Sequence, residues 1–245
     1  MRLPLLTLVL SPVLLIQGKR VKKNTPRLPE AAGQRCGISG NGQQLSILIL
    51  GDSAAAGVGV SHQDDALTGQ LVRQLATAFQ VHWCLQATTG HTTEDVIQRV
   101  KALEPQQYDV VVTSVGVNDV TRLLSPRKWI RLQQQLLEQI QLKFQPRLIL
   151  PTSVPPMHLF SALPQPLRWH MGLYAKQMNK ELAAYLDSLP DNNQPEIHQT
   201  VWPLTRNQRD TPLAEDRFHP GAEVYQLWAQ ILSDAIKKHE SYGKL

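Results

Sequence analysis

Residues 47–60 read ILILGDSAAAGVGV: four large aliphatic residues run straight into Gly51, Asp52 and Ser53, and then into alanine and glycine. A nearly continuous apolar run of this length is the pattern of a strand buried on both faces. The acid and the hydroxyl at its end carry chemical interest, because ligands of sheets built from such strands bind beyond the strand carboxyl ends. Three familiar explanations fail on residue identity. A phosphate-cradling Walker loop closes on Gly-Lys-Ser/Thr, and no lysine lies between Ile47 and Gln70. The dinucleotide fingerprint has Gly57 and Gly59 but His62 where its third glycine belongs. The Gly-x-Ser-x-Gly elbow is broken at Ala55. Two readings remain. Ser53 is either a nucleophile at a strand-to-helix turn, its N–H and the helix N-terminus facing a developing oxyanion, or a plain helix cap beside a loop acid.

Working outward, strand-like and helix-like segments alternate. The strand candidates are 45–50, 81–87, 108–115, 147–152 and, with a weaker pattern, 196–202. Amphipathic spacing predicts helices over 67–79, 93–103, 126–144, 167–189 and 222–238. The third is the best delimited: Ser125 is placed to cap it, Pro126 suits its first position, and Gln145-Pro146 ends it. Such βα alternation predicts an α/β fold, a single doubly wound parallel sheet with helices on both faces. No internal repeat is present.

A serine nucleophile needs a base, and EDRFHPGAEVY near the C-terminus offers one. Asp216 and His219 stand three apart on a loop entering the last helix, a spacing at which a carboxylate can hold the imidazole Nδ1–H while Nε2 points outward. The plainer alternative is an exposed loop pair. Two further strand ends supply donors. TTGHTTED carries Gly90, whose N–H no side chain obstructs, and SVGVNDV carries Gly116 and Asn118, whose amide is a suitable oxyanion donor. Taken singly, Gly90 is equally a turn glycine and Asn118-Asp119 a capping pair. The proline-rich stretch 151–172, with Met157, Leu159, Phe160 and Leu163, reads either as a substrate wall or lid or as a rigid loop packed on the core.

The four blocks GDS, TGHTT, GVND and DRFHP, in this order over residues 45–235, resemble the SGNH subgroup of the GDSL esterase/lipase family, and most of all its bacterial lysophospholipase-type esterases. The resemblance implies a five-stranded parallel sheet in flavodoxin-like order and a triad of Ser53, His219 and Asp216. It also implies an oxyanion hole made of the Ser53 N–H, the Gly90 N–H and the Asn118 side chain, with no metal or organic cofactor. Asp52 and Asp119 are expected to hold the Ser53 and Asn118 loops. The implied reaction is carboxylic ester hydrolysis through an acyl-enzyme on Ser53, with small-molecule or lipid-derived esters as substrates. Acyl transfer and thioester hydrolysis use the same constellation, and a non-catalytic tethered binding protein that keeps the fold is the alternative from a different class. After GDS the chain continues AAAGVGV rather than with the commoner leucine-containing sequence, which leaves the shape of the acyl pocket open.

The ends of the chain differ from its body. Residues 1–36 hold seven Lys/Arg against Glu30 as the sole acid, so the formal +5 of the chain resides in that segment and the rest is close to neutral. Beside the apolar run 3–16, such a tail suits anionic lipid headgroups, at roughly 1 kcal/mol per Lys/Arg, and not nucleic acid. That run is shorter than the roughly 20 residues of an unkinked membrane crossing, contains Pro4 and Pro12, and is followed at once by GKRVKK with no small-x-small cleavage site. The expected organisation is a membrane-associating or signal-like segment at 1–18, a basic linker at 19–44 and a hydrolase domain at 45–240. Residues 3–27 would touch a membrane surface with the body on the cytoplasmic side, export to the periplasm being the alternative. The two cysteines, Cys36 and Cys84, are too few for a disulfide framework or a metal site; Cys84 reads as a buried structural thiol, and the redox compartment stays open.

Overall fold

The structure, a computed structural model, describes residues 3–190, 195–203 and 213–242. After an N-terminal helix α1 (Leu3–Asn24) come strands β1 (Cys36–Ser39) and β2 (Gln43–Gly51), helix α2 (Leu67–Leu75), β3 (Phe79–Ala87), α3 (Thr93–Ala102) and β4 (Val110–Ser114). The short α4 (Val117–Thr121), α5 (Pro126–Phe144), β5 (Leu148–Pro151), α6 (Leu167–Leu186), β6 (Glu196–Ile197) and α7 (Ala222–Tyr242) complete the order. The sheet runs β1-β3-β2-β4-β5-β6, with β1 antiparallel to β3 and the other five strands parallel. Those five are the expected strands in the expected flavodoxin-like order.

Alternation within β2 shows why its sequence had to be apolar throughout. Ile47 and Ile49 face one core with Val110, Val112 and the helices α2 and α7, whereas Leu48 and Leu50 face another with Val111, Ile149, α3 and α5. Both faces of the strand are dry, so neither can carry polar side chains. β3 and β4 flank β2, with Gly51 in register with Ala87 on one side and Ser114 on the other. The carboxyl end of β2 is therefore the switch point of the sheet, where crossovers leave in opposite directions and open a crevice.

Three expectations need correction in this frame. The stretch 19–44 is not a plain linker: α1 continues to Asn24, β1 extends the sheet to six strands, and β2 starts at Gln43. Cys84 is not a lone buried thiol, because it forms a disulfide with Cys36. Leu85 N–H donates to the Arg35 carbonyl, which makes Cys36 and Cys84 a non-hydrogen-bonded antiparallel pair with Cα atoms 4.1 Å apart, the close kind of cross-strand pair. Finally, no helix starts at Ser53. Residues 53–60 form successive turns, closed by Ala56 N–H to Asp52 O (2.9 Å) and Val58 N–H to Ser53 O (3.0 Å), and α2 begins only at Leu67. The alanines and glycines there allow the chain to fold back tightly on itself.

Candidate active site

The end of β2 brings Ser53 to the loop before α7. Ser53 Oγ lies 2.9 Å from His219 Nε2, and His219 Nδ1 lies 2.5 Å from Asp216 Oδ2. The Asp216 side chain is only 1% exposed, and its Oδ1 accepts the N–H groups of Phe218 and His219 at 3.0 Å each. Burial alone would raise its pKa; the hydrogen bonds from His219 and Phe218 and the nearby imidazole outweigh it and hold the carboxyl below its usual range. An ionised Asp216 can only accept, so His219 Nδ1 carries the proton and Nε2 is left to accept the Ser53 O–H. The local spacing of Asp216 and His219 is thus realised as an oriented pair, and the fold delivers it across 166 residues to the serine.

The other expected donors sit on loops on either side. Gly90, in a left-handed conformation (φ +86°), follows β3; a Cβ there would meet nothing within 4 Å, and its carbonyl accepts Arg122 Nη2 at 3.4 Å. Neither the Ser53 nor the Gly90 N–H is bonded to a backbone or side-chain acceptor among the described residues. Asn118 lies in α4 after β4 and spends one amide hydrogen on the His91 carbonyl at 2.9 Å; its amide has a second. That bond ties the Asn118 loop to the Gly90 loop. Asp119 reinforces the tie, since its Oδ2 accepts both the N–H and the hydroxyl of Thr93 (3.0 and 2.9 Å). Trp129 Nε1 and Gln133 Nε2 close on the same Thr93 hydroxyl at 3.1 and 3.2 Å. The sequence places Gln133 on the spacing of this helix but gives neither it nor Trp129 a role at the site; both are buried on α5.

Two buried acids set the electrostatics. Desolvation pushes Asp52 up to about 7, with Asp119 adding repulsion, against the Ala54 N–H (3.1 Å) and His219, which lower it. Asp119 is also raised, by burial. Tyr225, fully buried, donates to Val58 O at 2.7 Å and keeps its proton far above the usual phenol range because of burial and the Asp52 and Asp216 charges. Val58 is in the turn after Ser53, so Tyr225 fastens that turn to α7. Gly59 meets the opposite side of the histidine loop: a Cβ there would fall 2.2 Å from the Pro220 carbonyl.

The stretch 151–172 packs on the core through Val154, Met157, Phe160, Leu163, Leu167 and Met171. Phe160 also meets Phe218, beside His219, edge-on with centroids 5.1 Å apart. The stretch is therefore the rigid loop packed on the core, and not a free lid. The same stretch lines a cavity of about 380 Å³ through Val154, Pro156 and Trp169, with Leu173, Asn179 and Trp202 among the other lining residues. A smaller depression beside Asp52 and Ala54 shares Ser153, Val154 and Trp202 with it. Among the described residues no group of three or more His, Cys, Asp or Glu is placed to hold a metal ion.

The model of the GDSL-like lipase/acylhydrolase family matches residues 49–227, a span that contains Ser53, Gly90, Asn118, Asp216 and His219. The chain belongs to this family. A GDSL-like esterase of Mycobacterium tuberculosis is 25% identical over 200 residues, which are 79% of this chain and 62% of that relative. The chain thus spans less than two thirds of the relative's length. Among solved structures, the GDSL fold is matched by the psychrotrophic esterase EstA from Pseudoalteromonas sp., with TM-score 0.60, 21% identity and coverage of 80% of this chain and 98% of that one. A Clostridium thermocellum family 3 carbohydrate esterase matches with TM-score 0.61, 15% identity and coverage of 78% and 94%. These likenesses describe the fold that the GDSL family shares.

Proposed function

We propose that this protein hydrolyses carboxylic esters through an acyl-enzyme on Ser53. The observation that carries the reading is the hydrogen-bonded chain Ser53–His219–Asp216. Ser53 Oγ attacks the ester carbonyl carbon as its proton passes to His219 Nε2, and Asp216 stabilises the imidazolium. The Ser53 and Gly90 N–H groups and the second amide hydrogen of Asn118 receive the oxyanion. His219 then gives its proton to the departing alkoxide, and a water activated by the same nitrogen releases the acid. A fluorophosphonate probe is expected to label Ser53, and Ser53→Ala to abolish hydrolysis of p-nitrophenyl acetate. A folded wild type that neither reacts with the probe nor turns over the ester refutes the reading.

Lipid-derived esters suit the largely apolar cavity lined by the stretch 151–172, which shares residues with the depression beside Asp52 and Ala54. A screen of acyl lengths tests this; strict preference for acetyl esters counts against it. Helix α1 supports the same substrate class. It docks on α6 through Thr7, whose Oγ1 is 3.0 Å from His170 Nε2 and 3.1 Å from Tyr174 Oη, and through buried Leu14. Its outer face exposes Leu5, Leu8, Val9, Val13, Leu15 and Ile16, followed by exposed Lys19, Arg20, Lys22 and Lys23. No described helix is long and apolar enough to cross a membrane. In this reading α1 lies in the interface of an anionic bilayer, apolar side chains inward and basic ones at the headgroups. The disulfide favours an oxidising compartment, and so the outer side over the cytoplasmic one. Co-sedimentation with phosphatidylglycerol vesicles, lost in Leu8→Glu/Ile16→Glu, tests the contact; equal sedimentation of both proteins rejects it.

A further inference from the structure

The sole acid of the basic N-terminal segment is engaged at the site. Glu30 Oε1 accepts both the N–H and the hydroxyl of Thr89, at 2.7 and 2.8 Å, and Thr89 immediately precedes Gly90. Its other oxygen accepts Arg35 Nη2 at 2.5 Å, while Arg35 Nη1 donates to the Ala87 carbonyl at 2.7 Å. Residues 87–89 are thus held at both ends by one ion pair. Cys36, next to Arg35, is cross-linked to Cys84 on the strand that leads into this loop. The same segment grips the loop after Ser53: Ala32 N–H donates to Ser61 O (2.9 Å), Gln63 N–H to Ala32 O (2.8 Å), and Gln63 Nε2 to the carbonyls of Ala31 and Ala56 (3.1 and 3.0 Å). Residues 30–36 therefore form a strap that spans two loops, each carrying one oxyanion donor.

Building on the esterase reading above, we propose that Glu30 is a positioning residue for the oxyanion hole: by clamping Thr89 it fixes the peptide whose N–H is that of Gly90. On its far side Gly90 is held by a long bond from Arg122 Nη2 to its carbonyl (3.4 Å) and by the bonds of His91 to Thr88 and Asn118, whereas the peptide that carries its N–H is fixed through Thr89; an oxyanion donor works only if it is preorganised where charge develops. Glu30 is suited to the task because it presents one carboxylate oxygen to two donors of a single residue while Arg35 neutralises the other. Thr89 and Arg35 hold it ionised against the cost of partial burial.

The test compares wild type, Glu30→Ala, Glu30→Gln and Ser53→Ala on p-nitrophenyl acetate, together with inhibition by an alkyl trifluoromethyl ketone, whose hemiketal on Ser53 places an oxyanion in the hole. Losing a donor outright costs about 10²–10³ in kcat, so a loosened donor is expected to cost on the order of tenfold. Glu30→Ala should lower kcat by about that factor with KM within twofold, and weaken the ketone in proportion. Glu30→Gln, whose carbonyl still accepts from Thr89, should recover part of both. A purely structural role would lower the amount of folded protein without weakening the ketone for the molecules that remain, as titrated with the fluorophosphonate. Unchanged kcat and ketone affinity in folded Glu30→Ala, or in folded Glu30→Gln if the alanine variant does not fold, overturns the positioning role while Ser53→Ala is inactive. Full activity of Ser53→Ala instead overturns the esterase site itself, and the positioning role with it.

Discussion

Asp52 offers a quantitative test of the electrostatics beneath the serine. It is 2% exposed, and burial holds its pKa at about 7 in the folded state against an ordinary 3.8. In the unfolded chain its proton is lost near pH 4; in the folded chain it stays until about pH 7. Between those values the folded state binds more protons, so stability falls as pH rises, by about 1.4 kcal/mol per unit and about 4 kcal/mol across the window. Below pH 4 both states are protonated and there is no loss; above about pH 7 the loss is complete and constant. Asp52→Asn removes the titration but keeps an Oδ1 to accept the Ala54 N–H, now made at 3.1 Å. Relative to wild type, the variant should therefore gain about 4 kcal/mol between pH 4 and pH 8. Urea unfolding at fixed ionic strength, in unit steps of pH, reads this difference directly, and groups that titrate equally in both proteins cancel. If the two stabilities stay parallel within about 0.5 kcal/mol over that range, the burial penalty assigned to Asp52 is wrong.

The remaining predictions concern the loops around the serine and the edge of the sheet. Asn118→Ala should lower kcat on p-nitrophenyl acetate by about 10²–10³ with a native near-ultraviolet spectrum; a loss under threefold would remove Asn118 from the oxyanion hole. Gly59→Ala places a Cβ against the Pro220 carbonyl at a residue with φ +112°, so the histidine loop must shift. Its expected cost is about 1–3 kcal/mol in stability, and more than tenfold in kcat because the Ser53–His219 bond is stretched. Reducing the Cys36–Cys84 bridge opens a loop between residues 48 apart in sequence. By the chain-entropy account it should lower stability by roughly 4 kcal/mol, measured by urea unfolding with and without a reductant.

Much of the architecture was legible because its determinants are local. A strand dry on both faces must be apolar at every position, and Ile47–Leu50, Val110–Val112 and Leu148–Leu150 are. The helix starting at Pro126 is announced by Ser125, whose hydroxyl accepts the Lys128 N–H as its cap. Asp216 and His219 are likewise neighbours in sequence, so their pairing needs only the turn that holds them.

The edge strand was not legible, because four residues with alternating exposure carry little apolar signal and a Pro- and Gly-rich neighbourhood reads as loop. Cys36–Ser39 is a strand only because β3 offers it a row of unpaired backbone groups, and that same register makes a disulfide of two cysteines that look unrelated in the chain. The partners of Glu30, the convergence of Trp129 and Asp119 on Thr93, and the approach of Ser53 to His219 are of this second kind. Residue type in the sequence determined which groups could act as nucleophile, base and donor. Tertiary structure alone decided which of them meet, because a hydrogen bond requires two atoms within about 3 Å, and chain separation says nothing of that distance once a sheet has brought remote strand ends together.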